Sequence, residues 1–356
     1  MTNKSNNLLT KQGNLKSKTI TNQVLIDKRT HKIVKYWQNE VGFPYYQTDE
    51  TFRQDKWDAF LKVDDAKSLD FNNRTFKSHT AGLSLCWSYF PSAWGVNCND
   101  LKSPIEVFND YKIFSNGIRK TLMGTFFEKH AFEELMSETN KSKSAIRSIV
   151  RRVTGVQMVS NFRPVTASML YKLFCDEGDT VWDMSCGWGG RLLASIKADV
   201  NYIGTDPNST TQIGLNEIKQ TFGSKARTID LHTLGSEVFR PEKNSLDFAF
   251  TSPPYFDCEK YSATETTQSY LKFSNINKWK EGFLRKTLEN IHYGLKPNKF
   301  LAFNVADVRS YNTFEKDTKQ LALETGFKLV DTFDLRMSSQ QQSHKDEPIF
   351  IFKCIK

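Results

Sequence analysis

The chain has 356 residues, 38% hydrophobic and 25% charged, with a formal net charge of +9. This is ordinary globular composition, long enough for two domains or one enlarged one. No window approaches the roughly 20 apolar residues of a membrane span, and the polar N-terminus lacks a signal-peptide core, so a soluble, intracellular (cytoplasmic) protein without membrane contact is expected.

Residues 1–45 are polar and weakly periodic and are expected to form a basic arm or loosely attached helices. Within residues 1–40, Lys4, Lys11, Lys16, Lys18, Lys28, Arg29, Lys32 and Lys35 face only Asp27 and Glu40 in number. Residues 46–160 have a mixed, mostly helical pattern. The stretch LSLCWSYFPSAWGV, 83–96, is aromatic and broken by Pro91 and Gly95. Its Trp87, Tyr89, Phe90 and Trp94 suit either a stacking surface for bases or, more commonly, a core. Residues 104–138 read as helical, with Ser103 before Pro104 as N-cap and first-turn proline. On a helix, Lys143, Arg147 and Arg151 fall at i, i+4 and i+8, with Lys141 nearby, while Ile146, Ile149, Val150 and Val153 supply a core side. Two basic segments in one chain point to a polyanion partner, with Lys141, Lys143, Arg147 and Arg151 as candidate nucleic-acid contacts.

From residue 164 the pattern alternates. Helix 166–174, strand 179–184, helix 189–198, strand 201–206, helix 208–221, a strand near 226–232 and strand 245–250 are followed by helix 278–293, strand 299–305, helix 314–324 and strands near 327–333 and 348–354. Such alternation predicts an α/β, Rossmann-like, doubly wound and mostly parallel sheet with helices on both faces. The last two strands have no helix between them, which predicts an antiparallel pair at the edge. The six cysteines, Cys86, Cys98, Cys175, Cys186, Cys258 and Cys354, form no Cys-x-x-Cys pair. Reduced thiols and no metal site are expected.

Ligands of such sheets bind beyond the carboxyl ends of the strands. The first strand runs into Asp183-Met-Ser185-Cys-Gly187-Trp188-Gly189-Gly190. This turn lacks the Gly-Lys-Ser/Thr of a P-loop and does not complete G-x-G-x-x-G. The second strand ends at Asp206, where an acid can accept both hydroxyls of a ribose. Together they indicate an adenosine-type ligand. After the third strand, Ser236 and Glu237 suit either an adenine contact or a capped surface loop. The fourth strand ends in two prolines, which remove two backbone donors and fix two φ angles.

That last stretch, Thr251-Ser252-Pro253-Pro254-Tyr255, resembles the catalytic motif of the DNA amino-methyltransferases that modify cytosine N4 or adenine N6. Asp183 to Gly190 resembles their S-adenosylmethionine motif, and Phe162-Arg163-Pro164 their additional cofactor-wall motif. The resemblance covers residues 161–356. It implies a class I methyltransferase domain with S-adenosylmethionine as cofactor. The implied cofactor contacts are Phe162, Pro164, Asp183, Ser185, Gly187, Gly189, Asp206, Ser236, Glu237 and Thr251. Catalysis would fall to Ser252, Pro253, Pro254 and Tyr255. Two departures stand out: the family's Asp-Pro-Phe is Asp183-Met184-Ser185 here, and Trp188 sits between the glycines. The proline motif is shared with some tRNA guanine-N2 and protein glutamine methyltransferases.

The chemistry agrees with the resemblance. An exocyclic amine on a base delocalises its lone pair into the ring and is a poor nucleophile. Ser252 Oγ and the Pro253 carbonyl can hold its two N–H bonds and favour a pyramidal nitrogen, which is catalysis by orientation and electrostatics. Tyr255 would stack on the base. The absence of a Pro-Cys nucleophile argues against carbon-5 methylation. The expectation is a DNA methyltransferase acting on a flipped-out base, and by the same resemblance Ser252 in the motif's first position favours cytosine N4 over adenine N6. Residues 46–160, helped by the insertion 256–277, would recognise the nucleic acid. The rivals are an RNA guanine-N2 or adenine-N6 methyltransferase and a nucleic-acid-binding protein with a vestigial methyltransferase domain.

Overall fold

A computed structural model describes residues 22–124, 128–261, 266–337 and 346–356. The chain divides into two compact units: the residues up to Tyr45 with Asp100–Met158, and Tyr46–Asn99 with Val159–Lys356.

The larger unit is built on strands β1 (Leu69–Asp70), β2 (Thr75–Phe76), β3 (Asn97–Cys98), β4 (Thr180–Asp183), β5 (Asn201–Thr205), β6 (Ile229–His232), β7 (Leu246–Thr251), β8 (Glu259–Lys260), β9 (Leu295–Asn304), β10 (Phe327–Arg336) and β11 (Asp346–Cys354). All but β3 and β8 form one nine-stranded sheet in the order β1-β2-β10-β11-β9-β7-β4-β5-β6. The run β9-β7-β4-β5-β6 is parallel throughout. Every residue of β7 is buried, which is why Leu246 to Thr251 reads as an unbroken apolar run rather than an alternating one. The sheet is the expected doubly wound, Rossmann-like one.

β10 and β11 pair antiparallel, as their direct connection requires. β11 is inserted against β9, also antiparallel. The outer edge is then extended: β2 adds to β10 in parallel and β1 completes a hairpin with β2. Strands of two residues carry no periodicity, so this addition had no sequence signal. Trp182, Ala249, Leu284, Leu288, Leu301 and Phe303 lie at the centre of the main core.

The expected boundary at residue 160 differs from the observed one, because residues 46–99 pack into the larger unit. Asp65 is fully buried and takes Lys197 Nζ at 2.7 Å, Lys172 Nζ at 2.8 Å and the Ser168 hydroxyl at 2.8 Å. Trp87, Tyr89, Phe90 and Trp94 are all buried. They form core rather than a stacking surface, and Phe90 meets Trp188 edge to face at 5.7 Å.

The smaller unit is helical. Among its helices are residues 22–35, which continue into Tyr36–Val41, and Pro104–Asn109, Tyr111–Gly124, Glu128–Leu135 and Asn140–Arg152. Ser103 caps the second of these through a reciprocal box with Glu106, as its sequence predicts. Residues 22–41 are not a loose arm: Ile33, Val34 and Trp37 are fully buried, and the Trp37 indole donates to the Leu135 carbonyl at 2.6 Å. The lysines at 4, 11, 16 and 18 lie outside the described residues. No helix among the described residues is long and apolar enough to cross a membrane.

Candidate active site

In the larger unit the strand order reverses between β4 and β7, with β5 and β6 on one side and β9, β11 and β10 on the other. A crevice opens beyond the carboxyl ends at such a point. One pocket occupies it. Its wall includes Phe162, Ser185, Gly187, Asp206, Ser236, Glu237, Ser252, Pro253, Pro254 and Tyr255. Ten of the residues singled out from sequence are thus brought to one cavity.

The glycine turn is organised from beneath by Asp183, whose side chain is fully buried. Its carboxylate accepts from Arg191 Nε at 2.8 Å, Tyr202 Oη at 2.7 Å and the Ser185 amide at 3.2 Å. Arg191 also donates to the Ser185 carbonyl. Asp183 therefore holds the turn and does not line the pocket. Gly189 takes φ 74 at the N-cap of the helix Gly190–Lys197. At Gly190 an added Cβ would stand 2.1 Å from the Phe162 carbonyl oxygen, so only glycine lets this helix start against the segment carrying the Phe162 wall. Asn161 fastens the same contact by donating to the Trp188 carbonyl at 2.9 Å.

Asp206 is half-buried at the mouth of β5. One of its oxygens accepts the Gly187 amide at 3.0 Å and the other the Asn208 amide at 2.9 Å. Burial pushes its carboxyl up to about 6, against those two bonds. Glu237 pairs with Lys272 at 2.9 Å, and the Ser236 hydroxyl bonds Thr287 at 2.8 Å. Both line the pocket while serving the scaffold.

On the other flank, Tyr255 to Cys258 closes a turn with Cys258 N donating to Tyr255 O at 3.1 Å. Phe256 sits there at φ 52, a left-handed conformation that a bulky residue rarely adopts. Its ring is held edge to face against Trp279 at 6.0 Å, while Tyr255 meets Phe314 edge to face at 5.5 Å. Burial pushes the Tyr255 hydroxyl well up, aided by the charges of Glu347 and Glu259 and opposed by a hydrogen bond with Ser252.

Four of the cofactor candidates lie outside the pocket wall: Pro164, Asp183, Gly189 and Thr251. Pro164 begins the helix Pro164–Phe174 and packs on Gly82. Thr251 pairs with Phe303 inside the sheet, and its buried hydroxyl has no protein partner. Thr251→Val is therefore expected to leave stability within about 1 kcal/mol, or raise it, and to leave cofactor affinity unchanged. Urea denaturation and ligand titration check this; weakened binding would return Thr251 to the site.

Sequence reasoning missed Glu259, Tyr261, Asn304 and Glu347, all of which line the pocket. The insertion after β7, expected to aid nucleic-acid recognition, supplies part of this wall. β8 pairs with β3, Thr267 donates to the Pro207 carbonyl at 3.3 Å, and Tyr261 faces Trp188 at 6.2 Å. Residues 262–265 of that insertion lie outside the described residues.

The basic helix forms in the smaller unit as Asn140–Arg152, with Ile146, Ile149 and Val150 buried. Its stripe is less uniform than a helical projection implies. Arg147 is half-buried and donates to the Pro44 carbonyl at 2.8 Å, and Lys141 pairs with Glu134 at 2.8 Å. Lys143 is half-buried and Arg151 is exposed.

The donor set fits S-adenosylmethionine. A half-buried acid stands at the end of β5, a backbone turn beside it, an aromatic wall at Phe162 and a polar loop at Ser236 and Glu237. No family model matches the sequence, and no curated protein matches it. Solved structures similar to it include a TehB-like SAM-dependent methyltransferase from Corynebacterium glutamicum, at 16% identity and TM-score 0.37, covering 55% of this chain and 90% of that one. A putative RNA methyltransferase from Pyrococcus horikoshii has 15% identity and TM-score 0.36, covering 54% and 83%. The 1,6-didemethyltoxoflavin-N1-methyltransferase of Burkholderia thailandensis, solved with S-adenosylhomocysteine, has 11% identity and TM-score 0.38, covering 53% and 77%.

Proposed function

We propose that this protein is an S-adenosylmethionine-dependent methyltransferase acting on the exocyclic amine of a nucleic-acid base, with N4 of cytosine in DNA as the favoured target. The observation that carries the proposal is that Ser252 to Tyr255 and Asp206 with its glycine turn share one pocket at the sheet's switch point. When bound, S-adenosylmethionine supplies an electrophilic methyl group on a sulfonium. The chain's residues do the rest. Asp206 would accept the ribose hydroxyls, and the Ser185 to Gly187 backbone would hold the methionine end. Phe162 walls the cavity. Ser252 Oγ and the Pro253 carbonyl orient the amine, and Tyr255 supplies a ring face for the base. A base in a stacked duplex cannot reach such a recess, so the target is extruded or single-stranded. The exposed Arg151 and Lys141 would meet phosphates.

The test is to incubate the protein with methyl-labelled S-adenosylmethionine and either denatured genomic DNA or total RNA, digest to nucleosides, and identify the labelled species by mass. N4-methyl-2'-deoxycytidine from the DNA is the expected product. N2-methylguanosine in RNA would move the assignment to the RNA class, and no label in either would overturn it.

Asp206 allows a second check. Asp206→Ala is expected to weaken cofactor binding by about 1 to 3 kcal/mol. In the wild type, affinity should fall as pH drops through about 6, where the carboxylate becomes protonated. Stability without cofactor moves the other way. The folded state binds the Asp206 proton more readily than the unfolded chain, so this group's contribution rises as pH falls from about 6 toward the ordinary carboxylate range. Calorimetric titration at several pH values reads the first effect; a flat affinity profile would remove Asp206 from the ribose site.

A further inference from the structure

The glycine turn carries a tryptophan that neither ribose binding nor the bend of the backbone calls for. Trp188, between Gly187 and Gly189, is buried and lines the pocket. Phe90 at 5.7 Å and Trp87 at 6.3 Å hold its ring, and Asn161 donates to its carbonyl at 2.9 Å. It also meets Tyr261, another wall residue, whose ring stands 6.2 Å away at an interplanar angle of 57°. Two rings at that tilt make a corner rather than a stack. The Tyr261 amide donates to Gln268 Oε1 at 2.9 Å, and the Tyr261 hydroxyl donates to Glu259.

Glu259, half-buried in the same wall, completes the corner. The Cys98 thiol donates to its other oxygen at 3.8 Å, so the side chain is held by a phenol and a thiol. Both donors are neutral, and among the described residues no lysine or arginine forms an ion pair with it. Burial pushes its carboxyl up, as befits an anion whose charge is hydrogen-bonded but not matched. Its place follows from the chain. Cys258 N donates to Tyr255 O at 3.1 Å and closes the turn after the motif, β8 begins at Glu259 in register with Cys98, and two residues later Tyr261 reaches Trp188. The segment Tyr255 to Tyr261 thus runs from the proline motif to the glycine turn, with Glu259 on the way.

We propose that Trp188, Tyr261 and Glu259 receive the sulfonium of S-adenosylmethionine and so discriminate it from S-adenosylhomocysteine; the inference rests on the methyltransferase reading above. The two ligands share the adenosine, the α-ammonium and the carboxylate, and differ by one methyl group and one positive charge. A sulfonium carries three carbon substituents and no N–H or O–H, so hydrogen bonds cannot select it. Ring faces and the field of a carboxylate can, as they do for quaternary ammonium groups. A primary ammonium is strongly hydrated and needs acceptors that ring faces do not offer. The neutral thioether gains little from either, so the spent cofactor is held less firmly than the charged one. The location agrees with this: a methyl donor has to lie between an adenosine at Asp206 and an amine at Ser252, and the Tyr255 to Tyr261 segment joins those two flanks of the pocket.

The experiment titrates the full chain with S-adenosylmethionine and, separately, with S-adenosylhomocysteine, and reads the ratio of the two dissociation constants by calorimetry. The wild type should bind the sulfonium ligand more tightly. Glu259→Gln keeps the shape and removes the charge; it should weaken S-adenosylmethionine about tenfold or more and leave S-adenosylhomocysteine within about twofold. Tyr261→Leu removes a ring face and should lower the ratio by about threefold to thirtyfold, whatever loss the two ligands share. The shared loss reports packing; only the ratio reports the sulfonium. Equal weakening of both ligands in Glu259→Gln, no weakening of either, a ratio unchanged in Tyr261→Leu, or a wild type that does not distinguish the two would each overturn the inference while leaving the methyltransferase reading intact. A wild type that binds neither ligand would overturn both, and that failure is seen before any variant is made.

Discussion

Asp183→Ala is expected to cost the larger unit about 3 to 5 kcal/mol, because it leaves a buried guanidinium with no counter-charge. The Arg191 and Asp183 side chains are 6% and 0% exposed, at 2.8 Å. Burial alone would lower the Arg191 pKa; the charge and hydrogen bond of Asp183 reverse this and hold it above its ordinary value. The Phe162 and Phe250 rings, 5.6 and 5.7 Å from the guanidinium carbon, give it a favourable but weaker environment. The substitution also strips an acceptor from Tyr202 Oη and from the Ser185 amide. Adding Arg191→Met removes the stranded charge and should recover part of the loss, which a cofactor ligand at position 183 would not predict. Urea midpoints of the two single variants and the double variant measure the coupling. A loss under about 1 kcal/mol for Asp183→Ala would mean the turn is held by something other than this pair.

This residue also shows what the sequence could and could not disclose. Asp183 was legible as part of a site, because an acid at the end of a buried strand before glycines is unusual. Its direction was not, since neighbours in a strand face opposite ways and a residue beneath the turn looks the same in sequence as one above it. Thr251 and Ser252 differ in the same manner: one is sealed in the sheet and the other faces the pocket. The strands β4, β5 and β7 were legible because burial on both faces gives continuous apolar runs. Asp206 was legible from its distance along the chain after the glycine turn. Glu347 and Asn304 were not, since they join the pocket wall only through the register of β9 and β11, which no local pattern encodes. The aromatic stretch 83–96 was recognised as unusual, but only packing could assign it: Trp87 and Phe90 lie against Trp188, within the same unit as the pocket.

Ser252→Ala is expected to lower the transfer rate by about 10² to 10³ with little change in cofactor or nucleic-acid affinity, since the lost acceptor is used most fully when the amine becomes pyramidal. Tyr255→Ala should fail differently. It removes a ring face worth about 1 to 3 kcal/mol per base, so capture of the extruded base weakens along with turnover. It also removes the edge contact with Phe314 at 5.5 Å, which fixes the ring's orientation. Tyr255→Phe keeps the ring and its Phe314 contact and removes only the hydroxyl, so base capture and most of the transfer rate should be retained. Single-turnover rates and binding isotherms on the three variants distinguish the cases. Equal loss of binding in Tyr255→Phe and Tyr255→Ala would show that the ring is not a stacking face. A wild-type rate in Ser252→Ala would show that the two prolines do no more than end a strand, because the side chain placed beside them would then have no share in orienting the amine.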